Sequence, residues 1–471
     1  MNRKLFGTDG IRGLANEFPM TSEIALAVGK AVAHVLATNP AEVVKGSMPV
    51  GIRPIDSAKP VRRAKIVVGK DTRLSGYMLE QALASGICSM GADVILIGPL
   101  PTPGVAFVTQ SMRADAGVMI SASHNPFADN GIKIFSADGY KLPDEIEAEI
   151  ERLVFSKDLD KLRPTGDLVG KAYRIDDVHG RYLVFLKSLF PRDLDLLGLR
   201  IVLDCANGAA YKVAPLVFEE LGAEVIRSGV SPDGMNINES CGALHPNSMS
   251  DLVVKYRADL GISLDGDGDR CILSDENGEF VDGDQIIGLC AIQMAREKSL
   301  KNNTVVTTPM SNIGLEHTLR DHGISMVRAQ VGDRYVVDSM RKNGLNLGGE
   351  QSGHVVFLDH STTGDGIVAA LKVLEAMRRN GKTLSELKKA ITLYPQVRED
   401  VRVSKKEPLE NFPEIAKSIA QAQAALGSKG RVFVRYSGTE PLLRVMVEGE
   451  DFEQINSLVK SIAEKIRKKL A

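Results

Sequence analysis

Three carboxylates stand at alternate positions in Asp265-Gly266-Asp267-Gly268-Asp269-Arg270. Glycines between them let the backbone curl until the three carboxylates converge, and hard oxygen donors select magnesium or calcium over softer metals. The same spacing fits the first, third and fifth positions of a calcium EF-hand loop, with Glu276 at the twelfth. That loop needs glycine at its sixth position for a sharp turn, and here the residue is Arg270. The flanks, 260–264 and 271–274, read as strands and not as helices. A solvated acidic turn would account for two of the aspartates. Three packed together repel one another unless a cation is present, so a metal site is expected.

A second segment, Ile120-Ser121-Ala122-Ser123-His124-Asn125-Pro126, follows an apolar strand. A serine at a strand end beside histidine can act as nucleophile or phosphoryl acceptor. Taken alone it is equally a turn leading into Pro126. The metal loop elsewhere in the chain tips the reading, because a hydroxyl near magnesium and a basic side chain such as Lys133 suits phosphoryl transfer, where charge neutralisation and positioning dominate. Arg435-Tyr436-Ser437-Gly438-Thr439-Glu440-Pro441 offers a planar fork, two hydroxyls and a glycine that admits backbone N–H groups to an anion, a phosphate cradle or else a polar hairpin loop. Gly349-Glu350-Gln351-Ser352-Gly353-His354 places a carboxylate and a hydroxyl two residues apart. On an extended segment they would face the same way and grip neighbouring sugar hydroxyls. Phe6-Gly7-Thr8-Asp9-Gly10-Ile11-Arg12-Gly13 contributes Arg12 as an anion ligand.

The elements that must carry these loops repeat one grammar three times: apolar strand, polar Gly-rich loop, helical pattern. Strand sets are predicted at 65–71, 93–98 and 117–121, then at 200–204, 224–226 and 260–265, then at 304–309, 325–327 and 346–350, with helices such as 78–90 and 213–221 between them. Such alternation indicates α/β layers with ligands at the carboxyl ends of strands. The last segment differs, with strands at 431–435 and 443–447 and a closing helix that places Ile455, Leu458, Val459, Ile462, Ile466 and Leu470 on one face. The polar stretch near Lys405-Lys406-Glu407-Pro408 is expected to lie ahead of the fourth-domain strands. Expected domains are 1–175, 176–280, 281–393 and 394–471, with a surface insertion at about 39–63 that carries four prolines.

A chain of 471 residues exceeds what one core usually supports. With 44% hydrophobic and 25% charged residues and a formal net charge of −2, nothing in the composition favours nucleic acid or an anionic membrane. The five cysteines form no Cys-x-x-Cys pair and read as reduced thiols. No apolar run approaches a membrane span, and no secretory signal pattern is seen at the start. A cytoplasmic location is expected.

The segments at 6–13, 121–126, 265–270, 350–354 and 435–441, in this order, together resemble the α-D-phosphohexomutase family over essentially the whole chain. The resemblance implies three similar α/β domains with mixed sheets plus a smaller α+β C-terminal domain, around a central cleft. It implies that Ser123, not Ser121, is phosphorylated. Asp265, Asp267 and Asp269 would hold one Mg2+ per subunit together with a phosphoserine oxygen. Glu350, Ser352 and His354 would bind the sugar, and Arg435, Ser437, Gly438 and Thr439 the phosphate that stays in place. Arg12, His124, Lys133 and Arg270 would surround the transferred group, with the general base open among Lys133, His124 and His354. The activity implied is an isomerisation through a sugar 1,6-bisphosphate, which also serves as activator. Gln351, the start at 6–13 and Val331-Gly332-Asp333-Arg334 resemble the branch acting on glucosamine phosphates, which supplies UDP-N-acetylglucosamine synthesis. The mannose/glucose branch is the alternative. A phosphatase is a further alternative, since a metal-bound aspartate cluster and a phosphate cradle also suit hydrolysis, whereas a phosphosugar sensor would need neither a serine acceptor nor three metal ligands. The partners implied are a small phosphosugar and a second subunit in a homodimer, with no nucleic acid and no membrane.

Overall fold

A computed structural model describes residues 5–7, 9–37, 63–437 and 441–470. The expected insertion at 39–63 lies, but for Arg63, outside the described residues. Four sheets of seven, five, four and three strands follow one another along the chain. In the first, Lys65–Lys70 is flanked by Asp93–Pro99 and Ala116–Ile120, all parallel, and the sheet continues antiparallel through Asp129–Ser136 to Gly10–Leu14. In the second, Leu260–Leu264 lies parallel to Arg200–Asp204 and antiparallel to Cys271–Asp275. In the third, Leu347–Gly349 lies parallel to Thr304–Thr307 and antiparallel to Val355–Phe357. All three sheets are therefore mixed.

The parallel strands are buried on both faces, as Leu260–Leu264 shows with all five residues buried, because helices cover each side. Four of the five segments singled out by the sequence join the strands of an antiparallel pair: 121–128 between Ile120 and Asp129, 265–270 between Leu264 and Cys271, 350–354 between Gly349 and Val355, and the segment from Tyr436 to Leu442. A strand that turns straight back carries its loop beyond the sheet edge. That is how four domains can bring short segments to one place. The return strand Asp129–Ser136 also makes Lys133 the cross-strand neighbour of Met119, so this side chain stands on a rigid element next to the serine loop.

The fourth domain has one strand more than the sequence pattern predicts. Gln396–Arg402 pairs with Leu442–Gly449, which in turn pairs with Gly430–Tyr436. Its run of Arg398, Glu399, Asp400 and Arg402 hides the apolar alternation that would have marked it. The stretch near Lys405 consequently lies inside this domain, where Lys406 Nζ donates to the Ser437 carbonyl at 2.7 Å. The closing helix Phe452–Leu470 buries Ile455, Val459, Ile462, Ile466 and Leu470, the face its spacing predicts.

One apolar cluster runs without a break from Val67 in the first sheet, through Leu203 and Ile262, to Val305 and Leu374. The fourth domain has a separate cluster around Val401, Leu443, Val447 and Ile462. Between the two, near the third sheet, Asp284 is fully buried and accepts the Asn312 N–H at 2.7 Å. Burial and the neighbouring Asp282 push its carboxyl up to about 7. A carboxyl raised on folding favours the folded state fully below its unfolded pKa, and that contribution is lost as pH rises through the folded value. The effect on stability is on the order of 4 kcal/mol between the two limits. Asp284→Asn, neutral at every pH, should therefore raise the apparent Tm at pH 8 and change it little at pH 4. Thermal melts across that range check this, and an equal shift at both ends would refute it.

Candidate active site

Ser123 and the metal loop meet directly. Ser123 Oγ donates to Asp265 Oδ2 at 2.6 Å and lies 3.2 Å from His124 Nδ1. Ser121 is occupied otherwise: its Oγ donates to Asp71 at 2.6 Å and accepts the Ser123 N–H at 2.9 Å. Of the two serines, only Ser123 has its hydroxyl on the aspartates.

One carboxylate oxygen from each of Asp265, Asp267 and Asp269 falls within 4.8 Å of the others, and all three residues are buried. Lys133 Nζ donates to Asp267 Oδ2 at 2.8 Å and to Asp269 Oδ2 at 3.4 Å, while Thr102 Oγ1 donates to Asp267 Oδ2 at 2.5 Å. Asp267 Oδ1 and Asp269 Oδ1 are buried and have no hydrogen-bond partner among the described residues. Orphaned, buried carboxylate oxygens are costly. The clustered triad lies beside Ser123, and its all-oxygen donor set fits a hard divalent cation. The triad also divides electrically. Burial raises Asp265 well above its ordinary value, and the neighbouring Asp269 and Asp267 add to it. Asp269 is buried too, which alone would raise it, yet Lys133, His354 and Arg270 together outweigh burial and hold it well below.

Lys133 is buried, which alone would favour the neutral amine, but Asp267, Asp9 and Asp269 outweigh burial and hold it as an ammonium. His124 goes the other way. Burial, then Arg270 and Arg12, lower it to about 4, so at neutral pH its ring is unprotonated beside Ser123 Oγ. Arg12 Nη1 donates to the Ala122 carbonyl at 3.1 Å and Nη2 bonds Asp9. Its Nε, and that of Arg270, are buried without a hydrogen-bond partner among the described residues, Arg270 Nε lying 4.0 Å from Asp269 Oδ1. Both guanidiniums retain a donor for an anion.

His354 closes the site from the third domain. Its Nε2 accepts the Gly364 N–H at 3.1 Å, which leaves the ring proton on Nδ1, 3.6 Å from Asp269 Oδ2. Glu350 Oε1 accepts the Gly332 N–H at 3.2 Å. The loop is not extended as the sequence suggests. Gly353, at φ 89°, donates to the Glu350 carbonyl at 3.1 Å and closes a turn. Glu350 and Ser352 therefore do not share a face by strand alternation; Ser352 is exposed at the tip. The turn abuts the second domain, where the Cys271 N–H donates to the Gly353 carbonyl at 3.0 Å. In the fourth domain, Arg435 stands opposite Arg444 across the strand pair. Burial, then Arg444 and Arg398, hold its guanidinium below the usual range, while Glu350 acts in the opposite sense. Like charges gathered this way favour an anion between them. Ser437 is buried beside them, and Gly438 and Thr439 lie outside the described residues.

Several members of the site carry no local signal. Asp9 pairs with Arg12, Lys133 and Lys141, and Lys141 bridges from Asp9 to Asp333 of the third domain. Asp9 and Asp333 fall inside segments the sequence singles out, but only the fold shows that they share a lysine.

Sequence profiles for the phosphoglucomutase/phosphomannomutase family match in order: alpha/beta/alpha domain I at 3–47 and 55–161, domain II at 181–278, domain III at 282–394 and the C-terminal domain at 400–465. The chain belongs to this family. Its relatives include the phosphoglucosamine mutases of Pelobacter propionicus, 58% identical over 99% of this chain and 99% of that protein, and of Syntrophotalea carbinolica, 56% identical over 100% and 98%. The fold is shared with a phosphoglucomutase/phosphomannomutase family protein from Burkholderia thailandensis, TM-score 0.75, 23% identical, covering 98% of this chain and 97% of that one. It is shared also with the Aspergillus fumigatus N-acetylphosphoglucosamine mutase solved with GlcNAc-6P and magnesium, TM-score 0.66, 19% identical, covering 99% and 96%. None of the described helices is long and apolar enough to cross a membrane.

Proposed function

We propose that this chain is a phosphoglucosamine mutase, which interconverts glucosamine 6-phosphate and glucosamine 1-phosphate by way of phosphorylated Ser123. The name is that of full-length relatives at 56–58% identity. The observation that carries the mechanism is the 2.6 Å approach of Ser123 Oγ to an aspartate triad with two unpartnered oxygens. Asp265, Asp267 and Asp269 would hold magnesium, which supplies charge neutralisation at the transferred phosphoryl group.

In the first transfer the bond between Ser123 Oγ and phosphorus breaks as one forms to the free hydroxyl of the sugar monophosphate, giving a 1,6-bisphosphate. The sugar hydroxyl loses a proton and Ser123 Oγ gains one. Lys133, held as an ammonium, is suited to donate or to stabilise developing charge. His124, held neutral 3.2 Å from Oγ, is suited to accept. Arg12 and Arg270 offer their free Nε donors to the group in flight. The bisphosphate then reverses its ends and returns the other phosphate to Ser123. Glu350, Ser352 and His354 face the sugar, while Arg435 and Ser437, with Gly438 and Thr439, hold the phosphate that is not moving. Free sugar 1,6-bisphosphate would rephosphorylate an enzyme that has lost its phosphate.

Glucosamine differs from glucose by a 2-ammonium in place of a hydroxyl. One charge-assisted hydrogen bond is worth roughly 1.5–3 kcal/mol, about ten- to more than a hundredfold in kcat/KM. We expect kcat/KM to favour glucosamine phosphate over glucose phosphate by that factor, and mannose phosphate, with its axial 2-hydroxyl, to be worse still. A coupled assay with glucose 1,6-bisphosphate present decides this. Equal values, or a mannose preference, would place the chain in the mannose/glucose branch with the phosphoserine mechanism intact.

A further inference from the structure

The serine loop is clasped by two side chains from different domains, neither of which hydrogen-bonds the aspartate triad among the described residues. Arg73 follows strand Lys65–Lys70 and is fully buried. Its Nη2 donates to the carbonyls of Ser123 and Asn125, each at 2.8 Å, and its Nη1 to those of Asp129, at 3.1 Å, and Pro126. Its Nε donates to Asp71 Oδ2 at 2.8 Å, the carboxylate oxygen that also receives Ser121 Oγ. A guanidinium has five N–H groups, and every one is used here. From the second domain, Asn238 Nδ2 donates to the same two carbonyls, Ser123 at 2.9 Å and Asn125 at 3.0 Å.

Ser123 needs such a clasp. Its φ of 54° is left-handed, a conformation that costs a residue with a Cβ roughly 1–2 kcal/mol and persists only where the surroundings impose it. The metal loop is pressed onto the same carbonyl: a Cβ on Gly266 would come within 2.6 Å of Ser123 O and 2.8 Å of Asn238 Nδ2. Glycine alone permits that approach. The carbonyl of Ser123 is thus fixed by the first domain, the second domain and the metal loop together, while its Oγ points at Asp265.

We propose that Arg73 and Asn238 are positioning residues for phosphoryl transfer, clamping the Ser123 carbonyl so that Oγ returns to one place for both transfers. This rests on Ser123 being the phosphoryl acceptor. Transfer between oxygens depends mainly on alignment, and a displacement near 1 Å costs on the order of a hundredfold. The clamp acts on the chemical step and leaves the sugar-binding residues untouched, so its loss appears in kcat and not in KM.

The test begins with the wild-type enzyme, by mass spectrometry and mutase assay. Absence of both phosphate on Ser123 and turnover would overturn the functional reading together with this one. Asn238→Asp keeps the side-chain shape but turns an acceptor toward two carbonyls; Asn238→Ala removes the donor; Arg73→Lys keeps the charge and loses the fork. Each is phosphorylated with glucose 1,6-bisphosphate, and the rate of single-turnover transfer to glucosamine 6-phosphate is measured per folded, phosphorylated molecule. The expected result is a fall of about ten- to a hundredfold in that rate and in kcat, with KM changed by less than about threefold. A purely structural role would lower Tm and yield but leave the rate per phosphoenzyme unchanged. An unchanged rate in the Asn238 variants and in Arg73→Lys, with wild-type enzyme active and phosphorylated, overturns the clamp while leaving the mutase reading intact.

Discussion

Ser123→Ala is expected to leave a folded protein whose mutase turnover is lower by at least about 10⁴-fold, because the oxygen proposed to accept and return the phosphoryl group is gone. Little else changes. The side chain is buried, alanine is smaller by one oxygen, and the Ser123 N–H and carbonyl keep their bonds to Ser121, Arg73 and Asn238. The Tm should therefore stay near that of the wild type. The phosphate expected on the wild-type peptide should be missing from the variant by mass spectrometry. Ser121→Ala gives the contrast, since it removes the acceptor of the Ser123 N–H but not the phosphorylated oxygen. Full turnover in Ser123→Ala, or phosphate on Ser121 alone, would end the assignment.

Removing the metal should be nearly as severe. Exhaustive chelation is expected to bring turnover to background and added Mg2+ to restore it. Asp267→Asn should cost at least about 10³-fold, with partial recovery at high Mg2+. Asp267 lies at a crossing point: Oδ2 takes bonds from Lys133 and Thr102, and Oδ1 has no partner among the described residues. An amide there weakens the cation site and the hold on Lys133 at once. Turnover that survives chelation would exclude a metal role for the triad.

The parts of this protein that can be read along the chain are those set by local spacing. Alternate aspartates with glycines announce a metal loop, apolar runs such as 260–264 announce buried strands, and the period of Ile455, Val459, Ile462 and Ile466 announces the closing helix. The parts that cannot be read are made by segments far apart. Arg73 looks like any arginine in a polar turn until Ser123 arrives 50 residues later, and Asn238 reaches the same carbonyl from 115 residues away. Choosing between Ser121 and Ser123 needs the position of Asp71 and Asp265, which no spacing encodes. The turn at Glu350 misleads for a local reason, since a positive φ at Gly353 overrides the strand alternation on either side. Gln396–Arg402 escapes notice because an antiparallel strand rich in charge has no apolar alternation to display.

The fourth domain keeps its apolar cluster to itself, starting no earlier than Val397. Its described contacts with the third domain include the donation from Arg431 to the Ser311 carbonyl and the long contact between Gln351 and Gln396. Water can replace each such hydrogen bond at small net cost, and the two apolar clusters are separate. The serine, the triad and His354, by contrast, stand on domains welded through one continuous cluster. If Arg435 holds a phosphate as proposed, opening of the cleft at that end is expected to follow this polar seam. The cluster that joins the other three domains is no part of that seam, and the two ends are built as a jaw and a fixed anvil.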